Sequence, residues 1–262
     1  MTHTCHIYYI AGLTAALIAL SPSCANRGSG PQGGPKDSIP PVVVSETPVN
    51  GTVNWQKRTI EVVFNENVTL DNVAQNVLIS PPQKKMPDIQ AINKRVSVKF
   101  AKTDTLLENT TYTIDFGNAI QDNNEKNTLE GYRFSFATGD VIDTLQISGI
   151  LINAENLNPM ASILVGAYRA EDFADTTFST TPFARIGRSR SDGRFTIDNL
   201  AAGTYRIFAL DDGNRNYFRD IGEGLATYDS LITPSCTTDV QRDTTWTDSV
   251  TIDTIRSVVH TT

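Results

Sequence analysis

The sequence predicts an all-β protein: two tandem β-sandwiches behind an export signal and a flexible tether. Three observations carry this expectation. Four runs between Ile60 and Phe136 alternate apolar and polar residues with period two, as strands do when one face is buried and the other wet. Asn, Gly, Asp or Pro bound each run. No segment keeps an apolar stripe over three helical turns.

Residues 1–23 read as an export signal. The apolar run Ile10 to Leu20 falls well short of the roughly 20 residues a membrane-spanning helix needs. Met1 to Tyr9 holds no Lys or Arg, so the amino terminus supplies most of the positive charge. The run ends in Ser21-Pro22-Ser23-Cys24. These small residues before Cys24 resemble a bacterial lipobox, whose cysteine is lipidated and becomes the mature N-terminus. Ser21 stands where that motif usually has Leu, and Leu20 is one step early. An ordinary signal peptide with an incidental cysteine is the alternative. Lipidation of Cys24 implies an anchor in the outer membrane, facing either the periplasm or the outside. Each buried CH₂ of an acyl chain contributes about 0.8 kcal/mol to such an anchor.

Residues 24–38 form the tether. Gly28 to Pro35 and then Pro40-Pro41 cannot pack a core and act as a spacer. A phosphate loop needs Lys and then Ser or Thr straight after its last glycine. Here Pro35 intervenes and Asp37 follows Lys36.

Composition removes several function classes. The net charge of −7 argues against nucleic acid, which is bound by clustered Lys and Arg. The three cysteines are Cys5, Cys24 and Cys236. Cleavage removes the first and lipidation uses the second, which leaves Cys236 with no internal partner. The three histidines are His3, His6 and His260, so the folded middle has no imidazole. That excludes Ser-His-Asp and Cys-His nucleophiles and His-ligated zinc there.

The first β unit is expected over residues 39–140. Ile60, Val62 and Phe64 alternate with Glu61 and Val63; Val96, Val98 and Phe100 with Ser97 and Lys99. Tyr112, Ile114 and Phe116 alternate with Thr113 and Asp115; Tyr132, Phe134 and Phe136 with Arg133 and Ser135. A single helical turn fits Asp71 to Asn76. Pro40-Pro41-Val42-Val43-Val44, Thr47-Pro48-Val49-Asn50-Gly51, Ile60 to Val68, Thr111 to Ile114, Ile120 to Asn124 and Phe134 to Gly139 follow one another in order. In that order they resemble the bacterial Ig-like domain first named from S-layer proteins. The stretch Gly33 to Asp37 before Pro40-Pro41 looks like the tether of Bacteroidota lipoproteins that carry this domain.

A second β unit is expected over residues 145–235. It opens with Ile147-Ser-Gly149-Ile-Leu151 and continues through Ile163 to Tyr168. Asp192-Gly193 signals a hairpin turn ahead of a period-two strand, and Gly203 restarts the chain into another. The run Gly193-Arg-Phe195-Thr-Ile197-Asp-Asn-Leu200-Ala-Ala-Gly203-Thr-Tyr205 resembles the carboxypeptidase-regulatory, prealbumin-like sandwich. That resemblance implies a non-catalytic module. Residues 236–262 are a Thr- and Asp-rich tail in which Val250, Ile252 and Ile255 mark one further strand. Relatives with this layout tend to be longer, so a truncated chain is expected here.

One dense polar stretch stands out. Counting from Asp212, oxygen side chains fall at positions 1, 3, 5, 9 and 12: Asp212, Asn214, Asn216, Asp220 and Glu223. That is the spacing of a calcium loop, in which short carboxylates and amides wrap a hard cation. Tyr217 occupies the sixth position, where glycine suits the sharp turn. The same residues also suit a polar hairpin loop that binds nothing.

A second pattern is distributed. Asp-(Ser/Thr)-aliphatic or small triplets of the kind that Bacteroidota O-glycosylate occur eight times, at Ser38, Thr105, Thr144, Thr176, Ser230, Thr244, Ser249 and Thr254. Composition alone gives about 1.6. The competing explanation is that Asp-Thr-aliphatic opens edge strands.

Paired carboxylates for glycoside hydrolysis need two acids facing across a cleft. Strand glutamates such as Glu61 read instead as outward partners of buried neighbours. Phe64, Phe134 and Phe195 read as core, and Trp55 as edge packing or a surface contact. The expectation is therefore a non-catalytic, membrane-anchored envelope lipoprotein with a structural or protein- or glycan-interaction role. An accessory module for glycan or peptide uptake is the alternative. A fragment whose activity lies in a missing C-terminal part is the third.

Overall fold

The alternating runs pair into two sheets in the computed structural model, which describes residues 36–261 apart from 175, 248 and 249. The expected signal peptide, Cys24 and most of the expected tether lie outside the described residues. The first sheet has the order β1 (Val43–Thr47), β2 (Thr59–Phe64), β6 (Arg95–Lys99), β5 (Asp88–Ile92). The second has β4 (Leu78–Ser80), β7 (Thr111–Asp115), β9 (Arg133–Ala137). A short pair, β3 (Val68–Leu70) with β8 (Ile120–Asp122), closes one end, and α1 (Val73–Asn76) supplies the expected helical turn. All these ladders are antiparallel.

Ile60, Val62 and Phe64 meet Tyr112, Ile114, Phe134 and Phe136 in the core between the sheets. Tyr112 stacks on Phe136 with centroids 5.2 Å apart, and Phe100 stands edge-on to both at 6.0 Å. Offset and T-shaped pairs of this kind add about 0.5–1.5 kcal/mol beyond area burial. Trp55 packs against this core, and Lys57 Nζ lies 5.4 Å from its ring centroid.

The second unit packs a two-stranded sheet, β10 (Leu145–Ile150) with β13 (Arg194–Leu200), against a four-stranded one. The latter has the order β12 (Arg185–Arg188), β11 (Leu164–Arg169), β14 (Tyr205–Leu210), β15 (Leu225–Thr227). Ile147, Ile197 and Leu200 meet Val165, Ala167, Tyr205 and Ile207 between the layers. The opposite face of the larger sheet is also covered. Leu164, Tyr168, Ile186, Phe208 and Leu210 pack there with Phe183 and, from the first unit, Leu78. Glycine at 166 permits this: a Cβ there would sit 2.1 Å from the Phe183 ring.

Three local expectations change. The outer face of β7 is not wet: Thr111 and Thr113 are buried, because the second unit packs on it. Asp192-Gly193 does make a tight turn, with Gly193 at φ 76 and its N–H on the Arg190 carbonyl. That turn, however, carries the chain from the β12 sheet to the β13 sheet instead of closing a ladder. Finally, residues 236–261 hold two strands. β16 (Cys236–Thr247) and β17 (Val250–Thr261) pair antiparallel throughout, from Cys236 with Thr261 to Thr247 with Val250. The many β-branched Thr, Val and Ile residues there favour extended backbone.

Candidate functional site

The outer face of the β4-β7-β9 sheet is where sequence reasoning expected solvent and the structure places a second domain. Leu78 inserts its side chain into the apolar cluster of the second sandwich, and the next outward residue, Ser80, accepts the Ile186 N–H at 3.1 Å. Arg133 of β9 bridges Asp115 on its own sheet at 2.9 Å and Asp198 of β13 at 2.6 Å. Burial pushes the Asp198 carboxyl up, against the pull of Arg133. The gap enclosed by Leu78, Ser80, Thr113, Ile186 and Asp198 is about 10 Å³, no more than one water fills.

Asn199 is the hub of this junction. Its Oδ1 accepts the Thr113 hydroxyl at 2.7 Å and the Ser135 hydroxyl at 3.2 Å, and its Nδ2 donates to the Asp143 carbonyl at 2.6 Å. A bulge aims it there. Leu145 pairs with Leu200 but Ile147 pairs with Ile197, so β13 spends one residue more than β10. Asn199 takes up the extra residue at φ 56, a left-handed conformation that Asn tolerates better than most. The apolar positions Ile197 and Leu200 are therefore three apart, and that spacing within an alternating strand was the available sequence signal.

The short helix α1 is held from the second domain by two guanidinium groups. Arg188 donates to the Gln75 carbonyl and Arg215 to the Ala74 carbonyl. Cations at the carbonyl end of a helix satisfy acceptors that lack helical partners.

Arg215 belongs to the Asp212–Glu223 stretch, and the structure brings all five predicted oxygen side chains into one loop. The Asp212 carboxylate accepts the Arg215 N–H at 2.6 Å and the Tyr217 N–H at 3.0 Å. Asp220 accepts the side-chain amides of Asn214 at 2.6 Å and Asn216 at 2.8 Å. Glu223 closes the loop onto the N–H groups of Gly213 at 3.1 Å and Asp220 at 3.0 Å. Tyr217 does adopt the left-handed backbone, at φ 64, that the sixth position calls for. Its ring packs against the outer cluster of the larger sheet, which offsets the steric cost of a Cβ there. Among the described residues, no group of three or more His, Cys, Asp or Glu side chains is placed to hold a metal ion.

Arg185, the first residue of β12, is the buried charge of the junction. Its side chain is 9 % exposed, with Nη2 3.7 Å from Asp143 Oδ2 and Nη1 buried without a hydrogen-bond partner. Burial pulls this guanidinium below its ordinary range, and Asp143 pulls it back. Asp143 is itself fixed by Thr111, whose hydroxyl lies 3.0 Å from its carboxylate and 2.9 Å from its N–H.

The predicted modification positions separate into groups. Ser38, Thr105, Thr144, Thr176 and Ser230 are exposed and lie outside the strands. Thr244 and Thr254 lie on β16 and β17, while Ser249 and Cys24, the expected lipid-attachment residue, lie outside the described residues. Among the described residues, no helix is long and apolar enough to cross a membrane.

No curated protein matches the chain in sequence. Several solved structures are similar at low scores, three of which follow. The T6 backbone pilin of serotype M6 Streptococcus pyogenes has 11% identity and a TM-score of 0.25, over 78% of this chain and 55% of the pilin. The chain thus spans about half the length of that pilin. An L,D-transpeptidase from Mycobacterium smegmatis has 12% identity and a TM-score of 0.27, over 67% of this chain and 78% of the transpeptidase. BcpA, the major pilin subunit of Bacillus cereus, has 13% identity and a TM-score of 0.21, over 72% and 66%. Likeness at this level carries no argument about function. Residues 37–138, which build the first sandwich, match the family model of the bacterial Ig-like domain.

Proposed function

We propose that the chain is a lipid-anchored protein of the bacterial cell envelope with a non-catalytic role, in which two joined sandwiches hold an interaction surface away from the membrane. The bacterial Ig-like match of the first sandwich supports a structural or adhesion-type role. The observation that carries the proposal is the junction. Leu78, Asn199, Arg133 and Arg188 each cross from one domain to the other, and such a contact transmits position better than a free linker. The second sandwich serves as a prealbumin-like, non-catalytic module, and Cys24 carries the acyl chains in the outer membrane. Its partner is an envelope protein or a glycan.

Palmitate labelling of the wild type against Cys24→Ser tests the anchor: label on the first alone is expected, and equal blanks overturn it. Protease shaving of intact cells then decides which side of the membrane the domains face.

Two attachments complete this reading. Calcium is the ligand of the Asp212–Glu223 loop, with Asn214 and Asn216 turning their amide oxygens inward in place of the N–H groups they now direct at Asp220. The support is the set of oxygen-bearing side chains at calcium-loop spacing in one loop, where binding must also draw Asp212 and Glu223 toward the ion from the N–H groups they now accept. Titration calorimetry with an Asp212→Ala control tests it, and no heat at millimolar calcium rejects it. O-glycans sit on the Asp-Ser/Thr triplets, five of which are exposed outside strands. An intact-mass spectrum of native protein without a hexose ladder rejects that.

A further inference from the structure

A cleft of about 400 Å³ opens where the two sandwiches meet. That volume lies within the range of small-molecule sites, which favour domain junctions. Pro81, Pro82 and Leu107 of the first sandwich line it, and so do Arg169 and Arg185 of the second. The charged groups facing it are those two arginines with Asp143 and Asp172. The arginines differ. Arg169 is one-third exposed, lies 3.4 Å from Glu171 and rests over the Tyr205 ring. Arg185 is almost fully buried, yet its compensation is incomplete. Asp143 stands 3.7 Å from Nη2, too far for a hydrogen bond, and its bonds with Thr111 hold it there. Nη1 has no hydrogen-bond partner among the described residues, and with almost no accessible surface it opens to a ligand only if a neighbouring side chain shifts. A buried cation with an unfilled donor is among the most unfavourable arrangements in a folded protein.

We propose that this cleft binds a small organic carboxylate, which pairs with the guanidinium of Arg185 while the C–H surface of the rest of the ligand lies against Pro81, Pro82 and Leu107. The planar guanidinium matches a carboxylate in shape as well as charge, and a low-dielectric setting strengthens the pair. Arg169, nearer the rim, adds a second positive charge. Two sources carry this chemistry in an envelope: the C-terminus of a peptide and a uronic sugar. The proposal does not depend on the lipid anchor, so either fails without the other.

Titration calorimetry on the full chain tests it with four probes: N-acetyl-alanyl-alanine, its C-terminal amide, glucuronic acid and glucose. Saturable heat is expected from one acid and none from its neutral counterpart, and the responding acid names the source. Arg185→Lys keeps the charge but loses the fork, and should weaken binding about tenfold or more. Arg169→Ala lies at a more exposed position and should weaken it less. Should circular dichroism show Arg185→Lys misfolded, the acid–neutral comparison and Arg169→Ala still decide. No heat from any probe at millimolar concentration, equal heat from acid and neutral analogue, or binding untouched by a folded Arg185→Lys each overturns the proposal. The first of these leaves an ordered water as the partner of Nη1.

Discussion

Thr113, on the outer face of the first sandwich, gives its hydroxyl to Asn199 of the second at 2.7 Å, across 86 residues of chain. Both belong to strands, so the bond joins two rigid frames and not two loops. The Thr113 side chain has no water to turn to, because Thr113 is buried.

Asn199→Ala should therefore destabilise the protein by about 1–3 kcal/mol through the unmet hydroxyls of Thr113 and Ser135. Alanine also strains the left-handed backbone by roughly 1–2 kcal/mol. Asn199→Gly keeps that backbone and loses only the side chain, so it should be the more stable of the two. Urea denaturation of the three proteins checks the order wild type, glycine, alanine. An alanine variant as stable as glycine would mean that the bulge relaxes.

Leu78→Ala removes an apolar side chain that belongs to the first domain by sequence and to the second by packing. A cost of about 2–5 kcal/mol is expected, with the spread set by how far the site collapses. The informative readout is where the loss falls. Hydrogen exchange should quicken in β11, β12 and β14, which surround Leu78, more than in β2 and β6 of its own domain. Equal quickening on both sides would place Leu78 in the first core after all.

Tyr217→Gly sets two effects of opposite sign against each other. Glycine relieves the left-handed strain at φ 64, worth roughly 1–2 kcal/mol. It also removes an aromatic ring from the cluster around Phe208 and Leu225, where full aromatic truncations cost about 3–5 kcal/mol. Packing should win, giving a net loss of about 1–4 kcal/mol by thermal unfolding. A gain would show that the ring is dispensable and that the loop wants a glycine.

The residues that make the strands were legible, and those that join the domains were not. Ile60, Val62, Phe64, Val96 and Val98 alternate because one face of each strand meets the core, and burial follows that alternation. Thr113 and Ser135 alternate equally well, and nothing local distinguishes a polar residue facing water from one facing Asn199. Leu78 carries no such signal, because β4 is buried on both faces and is only three residues long, too short to show a period. The loop residues Asp212 to Glu223 were legible as a set, since oxygen spacing is a local property. The anchoring of that loop by Arg215 on the Ala74 carbonyl was not, since 141 residues separate the two. The first strand of the C-terminal hairpin, β16, had a readable composition but a weaker apolar pattern than the Val250, Ile252 and Ile255 of β17.

Acid should expose one further element of the first sandwich. Asp122 ends β8, and its carboxylate accepts the N–H groups of Asn124, Glu125, Lys126 and Asn127 at 2.7–3.1 Å. Burial favours the neutral acid, but these four donors outweigh it and hold the carboxyl below its ordinary value of 3.8. A depressed folded pKa contributes stability that is fully present above the ordinary value and is lost as pH falls through the depressed one. Asp122→Asn replaces one acceptor oxygen by an amide that faces N–H donors, so it should melt below wild type at neutral pH. Having no proton to take up, it loses nothing there in acid. The difference in melting temperature should thus hold steady from pH 7 to about 4.5 and shrink below 3.8. Thermal unfolding of both proteins across that range measures it. A difference that stays constant down to pH 2 would mean that the four N–H bonds do not depend on the charge of Asp122.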